Sequence, residues 1–130
     1  MSRTVGGGWH SIVELQNEER VLYEADAGWW NASWLRSGHG KLYVTNQGLI
    51  WARDRLTMWP FPRQPILVIP LRDILGTQVK TPLFGSRFSL LVQTRERTYR
   101  FVFLPVSLEE DIEECRDMIE KARGSHETRG

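Results

Sequence analysis

Apolar and polar positions alternate along much of the chain, and the clearest case is Gly40–Arg53, GKLYVTNQGLIWAR. Leu42 and Val44 share one face of an extended strand, and the residues between them face the other way. Residues 46–48 (NQG) tolerate turn geometry, and residues 49–52 (LIWA) resume as a second apolar, β-prone run. The pattern predicts a β-hairpin that begins an antiparallel sheet.

Similar runs predict five more strands, and residues 53–65 are predicted to form a loop because three prolines within six residues exclude a central strand. Gly28 is expected to introduce a bulge or bend that lets the first strand serve two sheets. Tyr99, Phe101 and Phe103 fall on one face of the last strand. The five strands are predicted at residues 20–35, 66–71, 75–81, 87–94 and 98–104.

The hydrophobic period changes to 3.6 after Pro105, which predicts a C-terminal amphipathic helix. Ser107 and Glu110 form a capping box at its start, and Gly124 is expected to end it. Met118 flanks a single apolar stripe, which consists of Leu108, Ile112, Cys115, Ile119 and Ala122. The predicted fold class is therefore mainly β: a seven-stranded, bent antiparallel sheet (a split barrel) capped by one helix.

The length of 130 residues predicts one domain with a substantial core. We place that domain at residues 18–124, after a flexible N-terminal lead at 1–17 and before a disordered tail at 125–130. Within the lead, residues 9–16 carry apolar positions that suit either a turn of helix or an irregular edge segment.

Charge is distributed unevenly, although the chain as a whole carries only +1. Residues 107–123 carry a net charge of −4, so the remainder carries about +5 and the basic surface belongs to the strands. The small total argues against nucleic-acid binding. A single cysteine, Cys115, excludes an internal disulfide and favours a reducing compartment. With neither a long apolar run nor a signal-peptide core, the expected location is cytoplasmic, with peripheral membrane association.

No arrangement of residues typical of catalysis or of metal binding is present. His10, His39 and His126 are scattered, without a partner at a known catalytic spacing. One cysteine and dispersed histidines match no metal-ligand spacing. Residues 38–41 (GHGK) lack the upstream glycine and the hydroxyl residue of a phosphate-binding loop. We therefore expect a protein that is not an enzyme and has no cofactor.

The loop at residues 53–65 is the main candidate binding site. Trp59 and Phe61 lie on a proline-rich segment flanked by Arg53, Arg55 and Arg63. Aromatic side chains settle at the headgroup level of a membrane, and arginines meet anionic phosphates there. The same residues also suit a protein-docking patch. Alternatively, the aromatic side chains fold back over the open end of the barrel.

Two further features leave alternatives open. Lys80, Arg87, Arg95 and Arg97 form a second basic group, which attracts an anionic ligand if the strands bring it to one rim and is otherwise only solvated. Alternation sends Trp29 and Trp30 to opposite faces of the first strand. At least one of the two is therefore expected outside the core unless a bulge or a partner covers it.

The order of these segments resembles the GRAM and pleckstrin-homology-like (PH-like) family. Residues 40–51 resemble its G-x-L-x-x-T-x-x-x-L-I-F/W hairpin, and residues 69–74 (IPLRDI) resemble its I-P-L-x-D-I strand end. Residues 79–85 resemble the loop before the sixth strand, residues 99–103 match the aromatic seventh strand, and the helix follows in its usual place. The resemblance covers roughly residues 18–123 and includes similarity to the GLUE variant.

The resemblance implies a binding module that recruits proteins to an anionic membrane lipid, including phosphoinositides, or to a protein partner such as a peptide or a ubiquitin-like domain. Tight phosphoinositide binders of this family carry several basic residues in the first two strands and the loop between them. Here that region offers only Arg36 and Lys41, with His39 between them. The resemblance therefore does not extend to the basic first loop.

Overall fold

The computed structural model describes residues 3–7, 10–30, 38–53, 66–80, 88–103 and 109–129. The predicted hairpin, the later strands and the C-terminal helix are all found there. The strands are β1 (Arg3–Gly7), β2 (His10–Leu15), β3 (Val21–Trp30), β4 (Gly38–Thr45), β5 (Gly48–Arg53), β6 (Ile66–Pro70), β7 (Ile74–Lys80), β8 (Ser89–Thr94) and β9 (Thr98–Phe103), and the helix is α1 (Glu109–Arg129). A single 3₁₀ turn, Leu71–Asp73, joins β6 to β7.

Seven of the described strands form one antiparallel sheet in the order β6-β5-β4-β3-β9-β8-β7. The predicted fold class, a seven-stranded antiparallel sheet with one C-terminal helix, is confirmed. All seven strands contribute buried or partly buried side chains to one hydrophobic cluster, so the sheet wraps around a shared core. The helix stripe fills that core with Ile112, Cys115, Ile119 and Ala122, and Met118 packs at its border.

The structure describes two strands within residues 1–17, the segment predicted as a flexible lead. β1 and β2 pair as a separate two-stranded antiparallel sheet. Val13 and Leu15 pack with Tyr43, Ile50 and Ala52 in a second cluster. The central hairpin is therefore buried on both faces, which explains why residues 49–52 are continuously apolar instead of alternating.

The bulge in β3 lies near the start of the strand and not at Gly28, where it was predicted. The register with β4 shifts between Val21 and Tyr23, whereas Gly28 lies opposite His39 and Val102 in regular pairing. One extra residue in a strand reverses the facing of the residues before it. Val21 therefore packs against the N-terminal strands, while Tyr23 packs against the main core.

The prediction that Gly124 ends the helix is also wrong, because α1 continues to Arg129. Gly124 is exposed, and a Cβ added there would meet nothing within 4 Å. Glycine weakens a helix by only about 1 kcal/mol relative to alanine. That penalty does not terminate a helix whose preceding turns are anchored on the sheet. Ser107 and Leu108, which belong to the predicted start of the helix, lie outside the described residues.

Alanine substitutions at two glycines are expected to have opposite effects on stability. At Gly40 a Cβ would overlap the carbonyl oxygen of Ala52 and lie 2.8 Å from the Trp51 ring. We therefore expect Gly40→Ala to lower the free energy of unfolding by about 2 kcal/mol or more. Gly124→Ala should raise it by about 0.5–1 kcal/mol. Urea denaturation of both variants measures the difference, and a Gly40→Ala variant as stable as the parent chain would contradict the packing described for Gly40.

Candidate functional site

Several strand ends meet at one end of the main sheet. Trp29, near the end of β3, lies opposite Gly38 at the start of β4. Gly40 pairs with Arg53 at the end of β5, and Ala52 pairs with Ile66 at the start of β6. Residues 31–37 and 54–65 connect these ends. We call this region of adjacent strand ends, together with the β8–β9 turn described next, the basic end.

The β8–β9 turn reaches the basic end through Arg97. The guanidinium carbon of Arg97 lies 4.9 Å from the centroid of the Tyr99 ring and 6.0 Å from that of Trp29. The turn itself is held by Thr94, whose amide donates to the carbonyl oxygen of Arg97 at 2.9 Å. The Thr94 hydroxyl donates to the same oxygen at 2.7 Å. Arg97 is thus an exposed cation placed over aromatic rings, an arrangement that stabilises and orients its charge.

Lys41 was predicted as a binding residue, but the structure places it in an ion pair. Its Nζ lies 3.1 Å from Oε1 of Glu24 on the neighbouring strand and 5.9 Å from the centroid of the Tyr43 ring. The side chain is only 20% exposed. Its charge is therefore already matched within the fold.

The remaining residues of the first predicted group are placed only in part. Arg53, the last residue of β5, is half-buried at the basic end. Arg36, Arg55, Trp59, Phe61 and Arg63 lie outside the described residues, as does most of the predicted loop.

The second basic group is separated by the structure into two parts. Arg95 and Arg97 share the β8–β9 turn. Lys80 pairs with Ser89, at the opposite end of β8 from Thr94. Five residues of extended strand separate those two positions, about 17 Å. Arg87 lies outside the described residues, so the group is not shown to converge on one rim.

Two titratable side chains in the described core have strongly altered acidity. Burial, reinforced by Glu114, raises the pKa of the Cys115 thiol to about 12. Burial is the main cause that raises the pKa of Tyr23 to about 12, and the charges of Cys115, Glu114 and Asp111 are smaller causes in the same direction. Both groups remain protonated at neutral pH, so Cys115 does not offer a thiolate nucleophile.

The described residues contain no group of three or more His, Cys, Asp or Glu side chains placed to hold a metal ion. No helix among them combines the length and the hydropathy needed to span a bilayer.

Sequence reasoning missed the exposed apolar position on β6, which the structure places at an edge of the sheet. Val68 is 59% exposed and borders a cavity of about 520 Å³ between β6 and the N-terminal strands. A second cavity, of about 220 Å³, lies between β6 and the β8–β9 turn. Residues 66–70 are apolar throughout, so no alternation in the sequence distinguished the exposed position.

Comparison with known proteins identifies the fold but not a family. Neither a family model nor a curated protein sequence matches the chain. Among solved structures, the Vps36 N-terminal PH domain superimposes with a TM-score of 0.69 at 14% identity, over 92% of this chain and 89% of that domain. The hSac2 domain of the human phosphoinositide phosphatase Sac2 gives a TM-score of 0.60 at 13% identity, over 86% and 74% of the two chains.

A third similar structure is the DH/PH fragment of PDZRhoGEF in complex with human RhoA. It matches with a TM-score of 0.56 at 12% identity, over 83% of this chain and 30% of that one. At such identities the similarity establishes the fold alone. The chain has a PH-like fold, and the predicted resemblance is confirmed at that level, without assignment to the GRAM or the GLUE group.

Proposed function

We propose that this protein is a non-enzymatic PH-like, GRAM-type binding module that docks peripherally, through the basic end, on an anionic membrane surface in the cytoplasm. The observation that carries the proposal is the position of Arg97, held over Trp29 and Tyr99 beside the strand ends that flank residues 31–37 and 54–65. Those two segments contain Trp59 and Phe61.

The charge around the basic end supports the same proposal. Residues 31–37, 53–65 and 95–97 together contain six arginines against two acids, a net charge of +4 in a chain whose total is +1. Each basic residue near an anionic leaflet contributes about 1 kcal/mol of attraction. The six arginines are Arg36, Arg53, Arg55, Arg63, Arg95 and Arg97.

Selectivity for one headgroup, including a phosphoinositide, is expected to be weak. A selective pocket needs several charges that converge on one phosphate group. Lys41 is paired with Glu24, and Lys80 lies at the far end of β8. The proposed interaction is therefore mainly with surface charge and the membrane interface, and it should weaken as salt screens the charges.

Removal of the Arg97 charge should weaken binding to anionic vesicles while leaving the fold intact. We expect Arg97→Gln to reduce partitioning about fivefold, the equivalent of about 1 kcal/mol, and Trp59→Ala to reduce it by at least as much. The measurement is cosedimentation with phosphatidylcholine vesicles, with and without phosphatidylserine, at low and high salt. Lys80→Gln is the matched control, because it removes one charge far from the basic end.

Equal recovery on neutral and anionic vesicles, unchanged by Trp59→Ala, would overturn the membrane proposal. So would an equal loss of binding in Lys80→Gln and Arg97→Gln, because binding would then follow net charge and not the basic end. Thermal unfolding of each variant checks that the loss does not come from misfolding.

A second candidate function, a protein-interaction adaptor, is favoured by a different observation. Val68 and Leu75, which are 59% and 55% exposed, lie on β6 and β7, the two outermost strands of the main sheet. Exposed apolar side chains on edge strands suit a peptide or protein partner. The PDZRhoGEF fragment, which shares the fold, is itself in complex with a protein, RhoA.

A further inference from the structure

The two edges of the main sheet differ in how they are protected. On β7, the register with β8 shifts between Ile74 and Gly76, leaving Leu75 at the irregularity. The Nη2 of Arg123 also donates a hydrogen bond to the carbonyl oxygen of Leu75 at 3.0 Å. A bulge and a covering side chain are the usual means of preventing an edge from pairing with another strand.

β6 has neither form of protection in the described part of the chain. It pairs with β5 in regular register over all five of its residues, and none of the described strands pairs with its other side. Its sequence, ILVIP, contains no charged side chain, and its only proline is the last residue. A regular, uncharged edge offers its free backbone groups to an added strand.

The outer face of β6 is exposed, whereas the same face of the neighbouring strand β5 is covered. Val68 lies directly opposite Ile50 of β5, so the two side chains share one face. Ile50 is buried beneath the N-terminal strands, whereas Val68 is 59% exposed. The cavity of about 520 Å³ lies at this boundary between a covered and an exposed side chain, and its lining residues include Val13, Ile50 and Val68. Its volume accommodates large apolar side chains.

The free edge of β6 borders the second cavity. That cavity, of about 220 Å³, lies between Val68 and Ile69 on one side and Tyr99 on the other. Val68 lines both cavities. Ile69, which faces the opposite side of the sheet from Val68, lines only the smaller cavity. Because successive side chains of a strand point to opposite faces, a strand added beside β6 would present alternate side chains toward the two cavities.

We propose that β6 binds an extended peptide by strand addition, with an apolar peptide side chain held against Val68 in the larger cavity. The inference rests on the second candidate function, the protein adaptor, and does not require membrane docking, although the smaller cavity borders the β8–β9 turn of the basic end. It commits to a short segment of a partner protein in extended conformation. Main-chain hydrogen bonds supply affinity, and the two cavities select side chains at alternate positions.

A second copy of this chain fits the edge less well than a peptide does. β6 is five residues long, about 17 Å, and a sheet is about 10 Å thick, so pairing two β6 strands would bury roughly 350 Å² in total. Stable interfaces bury about 1,200 Å² or more. A peptide that also fills both cavities gains contact area that a second β6 cannot provide.

The test begins with selection of random dodecapeptides, displayed on phage, against the immobilised full chain. Selected peptides are then synthesised, and their affinity is measured by fluorescence anisotropy. We expect Val68→Lys to weaken binding at least about tenfold. Leu75→Lys, the same substitution at the other exposed edge position, should change it by less than about twofold.

Backbone chemistry distinguishes strand addition from simple apolar contact. Alternate amides of an added strand point toward β6, and the amides between them point away. N-methylation of the amides that point toward β6 should abolish binding, because they donate to the edge. N-methylation of the intervening amides should leave binding unchanged. Hydrogen exchange should show that the β6 amides pointing away from β5, which alternate along residues 67–69, gain protection when the peptide binds.

Several outcomes would overturn the proposed β6 site. Peptides whose affinity is unchanged by Val68→Lys, or which lose affinity only in Leu75→Lys, would place the contact elsewhere while keeping the adaptor function. Failure to enrich any peptide would count against both the site and the adaptor function. Full protection, in the free chain, of the β6 amides that point away from β5, or a dimer dispersed by Val68→Lys, would show an occupied edge. Vesicle binding by the same variants tests the membrane proposal separately.

Discussion

Replacement of Trp51 by alanine is expected to lower the free energy of unfolding by about 3–5 kcal/mol, the largest effect predicted for this protein. The Trp51 side chain is fully buried. Its ring meets that of Trp29 edge-on, with centroids 5.6 Å apart, and its Nε1 donates to the carbonyl oxygen of Ala27 at 2.9 Å. Alanine leaves a cavity and removes the indole hydrogen bond to the Ala27 carbonyl at the same time.

The measurement is urea denaturation followed by far-UV circular dichroism, which does not depend on the lost tryptophan. Trp51→Phe serves as the matched control, because it retains an aromatic ring and removes the indole N–H. We expect it to lower the free energy of unfolding by about 1–2 kcal/mol. A Trp51→Ala variant whose free energy of unfolding falls by less than about 1 kcal/mol would contradict the burial and the contacts described for Trp51.

Replacement of Thr45 by valine is expected to lower the free energy of unfolding by about 2–3 kcal/mol, although it conserves the volume of the side chain. The fully buried Thr45 hydroxyl donates to Oε2 of Glu19 at 2.6 Å. It also accepts from the amides of Gln47 and Gly48 at 3.1 and 3.0 Å. Valine removes these bonds and leaves buried polar groups without this partner.

The surface threonine Thr77 provides the control for Thr45. Its hydroxyl donates to Oε2 of Glu120 at 2.9 Å in an exposed position, so Thr77→Val should change stability by less than about 0.5 kcal/mol. Amide exchange in β2 should also be faster in Thr45→Val, because Glu19 accepts from the Thr45 hydroxyl and from the amide of Gln16, which directly follows β2. Equal changes in the free energy of unfolding of Thr45→Val and Thr77→Val would contradict a stabilising role for the buried hydrogen bonds of Thr45.

The main strands and the helix stripe were predictable from the sequence because their signals are local. Side chains alternate with a period of two in a strand and 3.6 in a helix, whatever the partner. Leu42 and Val44 are buried in the main core as predicted. Phe101 and Phe103 also share its buried face, and Ile112, Cys115 and Ile119 form the buried stripe of α1.

The candidate site was predictable only as a set of residue types. Arg97 was identified as basic and near a turn, but its position over Trp29 depends on the pairing of β3 with β9. Lys41 was predicted as a binding residue, and its ion pair with Glu24 depends on the pairing of β3 with β4. The exposure of Val68 depends on the strand order, which places β6 at an edge.

The sequence thus determined where strands and the helix form and which of their positions are apolar, since these follow from backbone geometry and side-chain periodicity. Tertiary structure determined which apolar faces are covered, as the packing of Val13 on Ile50 and the exposure of Val68 show. It also determined which charges are paired. The covering of apolar faces and the pairing of charges depend on contacts between residues far apart in the chain, and no local pattern specifies those contacts.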